Sequence, residues 1–205
     1  MSRCLLIFLF FLIPTAILSQ NIDVRLLKSI NSEEILNSDK YFRFISNSNA
    51  YTVIAIPVIL AGAGLLRDDD KMLRNACVMA AASIINEGVT SVLKYSINRK
   101  RPFETYPDIA KKAKAGSPSF PSGHTSSAFA TATSLSLAYP EWYVIVPSFA
   151  YAGAVAYSRM DLGVHYPSDV AAGAIIGAGC AYLSYKVNKA LLNKHKIKPC
   201  NCPDL

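Results

Sequence analysis

The stretch TSSAFATATSLSLAYPEWYVIVPSFAYAGAVAYS, residues 125–158, decides the fold class, because Glu141 is its only charged side chain. Each helix of a soluble bundle exposes a polar face to water, and this stretch has too few charges to form such faces. Pro140 and Glu141 predict a tight turn between two apolar helices, His124–Tyr139 and Trp142–Tyr157. We therefore expect both helices to lie within a membrane.

Three further apolar segments extend this pattern along the chain. Phe44–Leu66 and Val170–Tyr185 contain no charged residue, and Asn75–Leu93 contains only Glu87. A helix needs about 20 apolar residues to cross roughly 30 Å of hydrocarbon, so a buried helix of a soluble bundle is the alternative for the shorter segments. The sequence predicts an all-α, membrane-embedded helical bundle with about five spans.

The overall composition supports a membrane protein with an anionic partner. Hydrophobic residues make up 52% of the 205-residue chain and charged residues 17%, against about 25% in soluble domains. The 21 Lys and Arg exceed the 14 Asp and Glu, which favours a partner such as phosphate or a phospholipid. Because the basic residues lie between apolar blocks and not along one polar face, we expect no nucleic-acid partner.

The N-terminus has the features of an export signal over residues 1–19. Arg3 precedes an apolar run from Leu5 to Leu18, and a small residue follows. An uncleaved first membrane helix is the alternative. Both interpretations place residues 20–43 on the outer side of the membrane, with a short amphipathic stretch around Val24–Leu36 on the membrane surface. We assign residues 20–49 to an extracytoplasmic or interfacial segment.

The rest of the chain divides into a main domain over residues 50–187 and a basic tail over 188–205. The lysine-rich tail is typical of a cytoplasmic end. Within the last span, Gly173 and Gly177 form a pair of small residues suited to close helix packing. Cys200 and Cys202 lack a second ligand pair for zinc, and the sequence assigns them no role.

Counting spans back from a cytoplasmic tail predicts which loops face outward. Lys94–Gly123 and Ser158–Asp169 fall on the extracytoplasmic side, although the first loop is strongly basic and cytoplasmic loops usually carry the excess of Lys and Arg. Binding of an anionic substrate accounts for a basic loop on the outer side. We therefore expect an active site at the extracytoplasmic face.

Three polar segments on that side carry the residues expected to do chemistry, and the first contains Lys94 and Arg101. These two are seven positions apart and would share a helical face if the helix continued to Pro102. An Arg binds two phosphate oxygens at once and a Lys adds a point charge. Cations at a helix end also extend toward lipid headgroups, which is the structural alternative.

The second polar segment, Ser117–His124, opens a helix. Free N–H groups at a helix start bind anions, and Gly123 lets the backbone approach a ligand. The Ser122 hydroxyl adds a donor, and His124 is placed to deliver a proton. A serine-capped helix start with an incidental histidine is the alternative.

The third polar segment contains Arg159, His165 and Asp169. A carboxylate beside a histidine holds one ring nitrogen protonated and leaves the other free as a nucleophile. Asp169 can also serve as an N-cap of the last helix. Because no carboxylate cluster in the three segments suits Mg²⁺, we expect no metal and no cofactor.

Together the three segments resemble the signature of a known family. Lys94-x6-Arg101-Pro102, Pro121-Ser122-Gly123-His124 and Ser158-Arg159-x5-His165-x3-Asp169 match the type 2 phosphatidic acid phosphatase superfamily, and the resemblance spans roughly residues 50–187. The superfamily includes bacterial acid phosphatases, lipid phosphatases and vanadium haloperoxidases. The resemblance implies a metal-independent phosphatase in which His165 attacks phosphorus, Asp169 orients it and His124 protonates the leaving oxygen. It also implies that phosphoryl oxygens are held by Lys94, Arg101, Ser122, the Gly123 amide and Arg159.

The expected substrate is a phosphomonoester or diphosphate of a membrane lipid, in a bacterial inner membrane with the site facing the periplasm. Undecaprenyl diphosphate, phosphatidylglycerophosphate, phosphatidate and lipid A all present such a group, and the sequence leaves the choice open. A soluble periplasmic non-specific acid phosphatase or a vanadate-dependent haloperoxidase would share the three segments. A non-catalytic anion-binding membrane protein is the remaining alternative, and the oligomeric state is left open.

Overall fold

The computed structural model describes residues 22–31 and 38–196, and all regular secondary structure within these ranges is helical. This confirms the all-α fold class. The predicted signal peptide or anchor at 1–19 and the Cys200-Cys202 end of the tail lie outside the described residues.

Along these ranges run a short N-terminal helix, five long helices and one four-residue helix. They are α1 (22–30), α2 (Ser38–Leu66), α3 (Asp70–Ile97), α4 (Pro102–Thr105), α5 (Gly123–Ala138), α6 (Trp142–Asp161) and α7 (Pro167–Lys196). The turn predicted at Pro140 and Glu141 joins α5 to α6. A long connection between α4 and α5 leads into the second polar segment, and the third polar segment spans the end of α6, a short connection and the start of α7.

The helix that carries Lys94 ends earlier than the sequence suggested. The α3 helix stops at Ile97, where Asn98 adopts a left-handed conformation with φ 48°. The conditional expectation that Lys94 and Arg101 share one helical face is therefore wrong. Arg101 instead follows the turn and immediately precedes α4, so the loop and not the helix aims its side chain.

The α5 helix lies at the centre of the bundle, packed against α7, α6, α3 and α2. Its buried face is made of Ala, Ser and Thr, whose small side chains let neighbouring helices approach. A Cβ placed on Gly173 of α7 would lie 2.7 Å from the Ser122 carbonyl oxygen, and one on Gly177 would overlap the Ser126 carbonyl. The close packing predicted for this glycine pair is confirmed.

Among the described residues, three helical stretches are long and apolar enough to cross a membrane. They are Asp39–Leu66, Asp70–Thr105 and Pro167–Lys194, with mean hydropathies of 1.8, 1.5 and 1.3 in their most apolar windows. Large apolar side chains on these helices, such as Ile54, Ile84 and Ile175, are exposed. Such a surface is unfavourable in water and is matched by lipid. The described part of the chain is thus all-helical and has the features of a membrane protein.

The α1 helix packs on the loops near the polar ends of the bundle. Leu27 is fully buried with Ile109 and Tyr166. The side-chain amide of Asn31 donates to the carbonyl oxygens of Ala110 at 3.1 Å and Asp161 at 2.6 Å. Within the described part of the amphipathic stretch expected around residues 24–36, the chain forms a helix over 22–30 whose buried side faces the protein, and residues 32–36 lie outside the described residues.

Candidate active site

His165 lies in the short connection between α6 and α7 and is almost fully buried, with 2% of its surface exposed. Gly163 makes this connection possible: its φ is +69°, and its Cα faces the Ala110 carbonyl so closely that no Cβ fits. Only glycine adopts this backbone conformation without strain. The turn directs the His165 ring into the protein.

Asp169, in the first turn of α7, is the centre of a hydrogen-bond network and is not exposed. Its Oδ1 accepts from Arg99 at 2.6 Å, and its Oδ2 accepts from the Tyr166 backbone N–H at 2.9 Å and from the Ser119 hydroxyl. The same Oδ2 lies 3.5 Å from Nδ1 of His165. That distance is an ion-pair contact, longer than an ordinary hydrogen bond. The network therefore holds the carboxylate in one orientation beside the ring.

Arg99 connects this carboxylate to the N-terminal helix. Its guanidinium contacts Asp169 through one nitrogen and Asp23 of α1 through the other, at 2.6 and 2.9 Å. The guanidinium also lies over the Tyr166 ring, 3.9 Å from its centre, and donates to the Ser168 hydroxyl at 2.7 Å. A planar guanidinium that bridges two carboxylates and stacks on an aromatic ring is held rigidly.

His165 is held in its neutral form. Burial lowers the pKa of the imidazole to about 3, Arg159 and Arg101 act in the same direction, and the nearby Asp169 opposes them. With a proton on the nitrogen that faces Asp169, Nε2 retains its lone pair. A neutral imidazole with a free Nε2 is the form that acts as a nucleophile.

A cavity of about 470 Å³ opens in front of His165. Among its lining residues are six of the eight predicted on sequence grounds: Lys94, Arg101, Gly123, His124, Arg159 and His165. Three predicted cations and two predicted histidines thus face one space, and they come from α3, the loop before α4, α5, α6 and the connection after α6. Such a cavity is suited to bind a phosphoryl group and to stabilise the charge that develops on it.

Arg101 contacts both the loop that precedes α5 and the loop that carries His165. Its Nε donates to the Ser117 carbonyl at 2.8 Å, and NH1 donates to the Val164 carbonyl at 2.7 Å. NH1 also lies 3.4 Å from Nε2 of His165. The guanidinium therefore stands beside the nitrogen from which an attack would occur.

Lys94 and Arg159 approach the cavity from α3 and α6. The Lys94 ammonium donates to the Pro118 carbonyl at 2.8 Å. Arg159, with 4% of its surface exposed, donates through NH1 to the Ser46 hydroxyl at 2.5 Å. Its position next to His124 in the cavity lining places a fixed cation beside a titratable group.

The other two predicted residues, Ser122 and Asp169, lie behind the cavity wall. Ser122 is fully buried at the N-cap of α5, and its hydroxyl is 2.9 Å from that of Thr125. In this structure the Ser122 hydroxyl thus faces the protein. Asp169 supports His165 from the side away from the cavity.

Sequence reasoning missed the two residues that hold Asp169, namely Arg99 and Ser119, and it missed Asp23. Arg99 differs from its exposed neighbour Lys100 only in its side chain, and Asp23 looks like a surface charge of an amphipathic helix. The sequence feature that could have identified Arg99 is its residue type, because an Arg, unlike a Lys, can bridge two carboxylates.

The described part of the chain contains no group of three or more His, Cys, Asp or Glu side chains that could hold a metal ion. The charged side chains that line the cavity are the four cations Lys94, Arg101, Lys114 and Arg159 and one carboxylate, Glu87, and this excess of positive charge fits an anionic ligand.

Comparison with known proteins agrees with this geometry. Residues 75–192 match the profile of the PAP2 superfamily. The chain is 30% identical over 171 residues to an undecaprenyl-diphosphatase from Sulfolobus acidocaldarius, covering 82% of this chain and 80% of that protein.

Two solved structures are similar in fold and sequence. LpxE of Aquifex aeolicus aligns with a TM-score of 0.69 and 28% identity over 79% of this chain and 93% of its own. A PAP2-type phosphatidylglycerolphosphate phosphatase from Bacillus subtilis aligns with a TM-score of 0.70 and 26% identity over 95% of this chain and 96% of its own. The expectation that this protein is a phosphatase is confirmed, and the chain belongs to the PAP2 (type 2 phosphatidic acid phosphatase) superfamily.

Proposed function

We propose that the chain is a metal-independent phosphatase that removes a phosphoryl group from a membrane lipid through a phosphohistidine intermediate on His165. The observation that carries the proposal is the single cavity that combines this buried, neutral histidine with Lys94, Arg101 and Arg159. Known relatives that act on lipid phosphates support the lipid substrate.

In the first step, Nε2 of His165 forms a bond to phosphorus while the bond from phosphorus to the leaving oxygen breaks. His124 donates a proton to that oxygen. In the second step, water attacks the phosphohistidine, gives its proton to His124, and breaks the N–P bond to release inorganic phosphate. Asp169 stabilises the positive charge that His165 acquires, and the three cations stabilise the phosphoryl oxygens.

An apolar cleft next to the cavity supports a lipid substrate. It lies between α2 and α3, has a volume of about 380 Å³ and is lined mainly by apolar side chains. Val53 and Ile54 line both the cleft and the catalytic cavity. A substrate with its phosphate at His165 would thus have an apolar path for its hydrocarbon chain.

The same proposal includes the topology and the domain boundaries. A signal or anchor at 1–19 precedes the segment 20–49, the phosphatase domain covers 50–187, and 188–205 forms a cytoplasmic tail. With α5 and α6 counted as spans, five helices cross the bacterial inner membrane and the cavity faces the periplasm. This topology is tested with the single substitutions Gly116→Cys and Glu141→Cys in a background without native cysteines. In intact cells, a membrane-impermeant maleimide should react with the cysteine at position 116 and not with the cysteine at position 141.

The reaction is tested by phosphate release in EDTA from purified, detergent-solubilised protein. The substrates are phosphatidate, phosphatidylglycerophosphate, undecaprenyl diphosphate, lipid A and an aryl phosphate, with His165→Ala alongside. Release from a lipid that is lost in the variant supports the proposal. Release from the aryl phosphate alone would favour a non-specific acid phosphatase, and activity that survives in His165→Ala would refute the assigned nucleophile.

A further inference from the structure

A second cavity adjoins the catalytic one, and we name it the outer cavity. It has a volume of about 710 Å³ and is lined by Arg43 and Asn47 of α2, by residues 111–115 of the loop before α5, and by His124 and Arg159. Lys114, Ala115, His124 and Arg159 line the catalytic cavity as well. The two cavities therefore share a wall.

The outer cavity is strongly cationic. Besides Arg159, its lining contains Arg43, Lys111, Lys112 and Lys114, and none of the described residues that line it is Asp or Glu. Asp39 forms an ion pair with Lys112 at 3.0 Å and offsets one of these charges. The remaining cations face one space and repel each other, a repulsion that a bound anion relieves.

Two of these cations have features of a binding site. The Lys111 ammonium lies 4.3 Å from the centre of the Phe103 ring, a cation–π contact that orients the side chain. Arg159 makes one hydrogen bond to the described residues, from NH1 to Ser46, so other donors of its guanidinium are left for ligands at the shared wall. Charge at the outer cavity is thus continuous with charge at the catalytic cavity.

The position of His124 indicates which part of a substrate reaches the outer cavity. In the proposed mechanism, on which this inference rests, His124 protonates the leaving oxygen. Because His124 lines both cavities, the group bonded to that oxygen begins at their shared wall. We propose that the outer cavity binds a second phosphoryl group carried by the leaving group. The preferred substrate is then a lipid diphosphate, or a lipid whose headgroup carries a phosphodiester beside the phosphomonoester.

The test compares substrates with and without this second group. Arg43→Gln/Lys111→Gln removes two cations that line the outer cavity and not the catalytic one. The matched control, Arg67→Gln/Lys71→Gln, removes the same charge near the start of α3, roughly 35 Å along that helix from Lys94. For each protein, kcat/KM is measured with geranylgeranyl diphosphate, phosphatidylglycerophosphate and phosphatidate.

We expect the outer-cavity variant to lose roughly fivefold to tenfold in kcat/KM, which lies within the range for two exposed charge pairs, with a substrate that carries a second phosphoryl group. Phosphatidate should change by less than about twofold, and the control should retain its activity on all three. A selective loss with the diphosphate, or with phosphatidylglycerophosphate, identifies which source of the second group the cavity accepts. An equal loss with all three substrates, or no loss with any, overturns the inference.

A binding measurement separates this inference from the proposed function. His165→Ala is titrated calorimetrically with methylenediphosphonate and with inorganic phosphate, with and without Arg43→Gln/Lys111→Gln. We expect the two outer-cavity substitutions to weaken the diphosphonate roughly fivefold to tenfold and phosphate by less than about twofold. Equal weakening of both ligands overturns the inference. If this selective effect is seen while the wild-type chain releases no phosphate, the proposed function fails and the second anion site stands.

Discussion

Replacing Asp23 by Asn should loosen the attachment of α1 to the catalytic loop. Asp23 is 5% exposed, and its Oδ2 accepts from Arg99 at 2.9 Å and from the Ser168 hydroxyl. Its Oδ1 accepts from the Ser168 backbone N–H at 2.8 Å. An asparagine keeps that last bond through its one amide oxygen and loses the charge that binds Arg99.

The size of the effect follows from these contacts. A hydrogen bond to a charged group contributes about 1.5–3 kcal/mol, and the partial exposure of Arg99 places this one in the lower half, at about 2 kcal/mol. In a chain of this size each kcal/mol lowers Tm by about 2–4 °C, so we expect Tm to fall by about 4–8 °C. We also expect kcat to fall roughly tenfold with little change in KM, because Asp23 orients the His165–Asp169 loop and does not line the catalytic cavity.

Thermal unfolding followed by intrinsic fluorescence in detergent, together with lipid phosphate release, measures both effects. Asp108→Asn is the matched control, because Asp108 pairs with Lys28 of α1 and both side chains are about half exposed. Its Tm should change by less than about 2 °C. Combining Asp23→Asn with Arg99→Gln should cost less than the sum of the single changes. If Asp23→Asn lowers Tm no more than the control and leaves kcat intact, α1 does not support the catalytic loop.

Three further predictions concern helix packing, pH and the cations. Gly177→Ala should destabilise the bundle by about 1–3 kcal/mol, because the added Cβ would overlap the backbone of α5. Gly179→Ala is the control and should not destabilise it, because a Cβ there meets nothing within 4 Å. Thermal unfolding of both variants measures the difference. The pKa of His165 is about 3 in the folded protein, against an ordinary value of 6.5 that applies to the unfolded chain. Between pH 3 and pH 6.5 only the unfolded state binds a proton at His165, so Tm should fall as the pH drops below about 6.5. His165→Gln should reduce that fall, and an unchanged pH dependence would contradict a neutral buried histidine. Lys94→Gln should lower kcat/KM for a lipid phosphate roughly 10²-fold, as removal of one charge-stabilising donor does. Lys100→Gln, at an exposed lysine nearby, is the control and should change kcat/KM by less than about twofold. Equal effects of the two substitutions would show that Lys94 does not bind the phosphate.

Lys94 and Arg101 show which properties of a site residue the spacing along the sequence predicts and which it does not. Their spacing suggested a shared helical face, yet α3 ends at Ile97 and the two side chains come from different elements. Both nevertheless line the same cavity. The chemistry of a cation was readable from its residue type, whereas its path to the cavity depended on the end of α3 at the left-handed residue Asn98. Asn is favoured at such positions after Gly, but it also occurs inside helices, so its presence alone did not locate the helix end.

For Asp169, the sequence predicted the contact with His165 but not the contacts with residues far away in the chain. Its proximity to His165 along the chain was enough to predict that it lies beside the ring, because Asp169 is four positions after His165 at the start of a helix. Arg99 and Asp23, which hold its other oxygen and extend the network, are 70 and 146 positions earlier in the chain. Contacts over such separations are set by how helices pack, and one sequence contains no local signal for them.

The sequence by itself determined the helical class, the positions of the apolar helices, the glycine contact between α7 and α5, and the residue types that make a phosphoryl site. These properties depend on hydrophobic periodicity, side-chain size and charge, which can be read directly from the local sequence. Only the tertiary structure decided that α1 joins the catalytic loop through Asp23 and Arg99, that the Ser122 hydroxyl faces the protein, and that a cationic outer cavity adjoins His124. These features arise where distant segments meet, and their geometry is set by the packing of the whole bundle around α5.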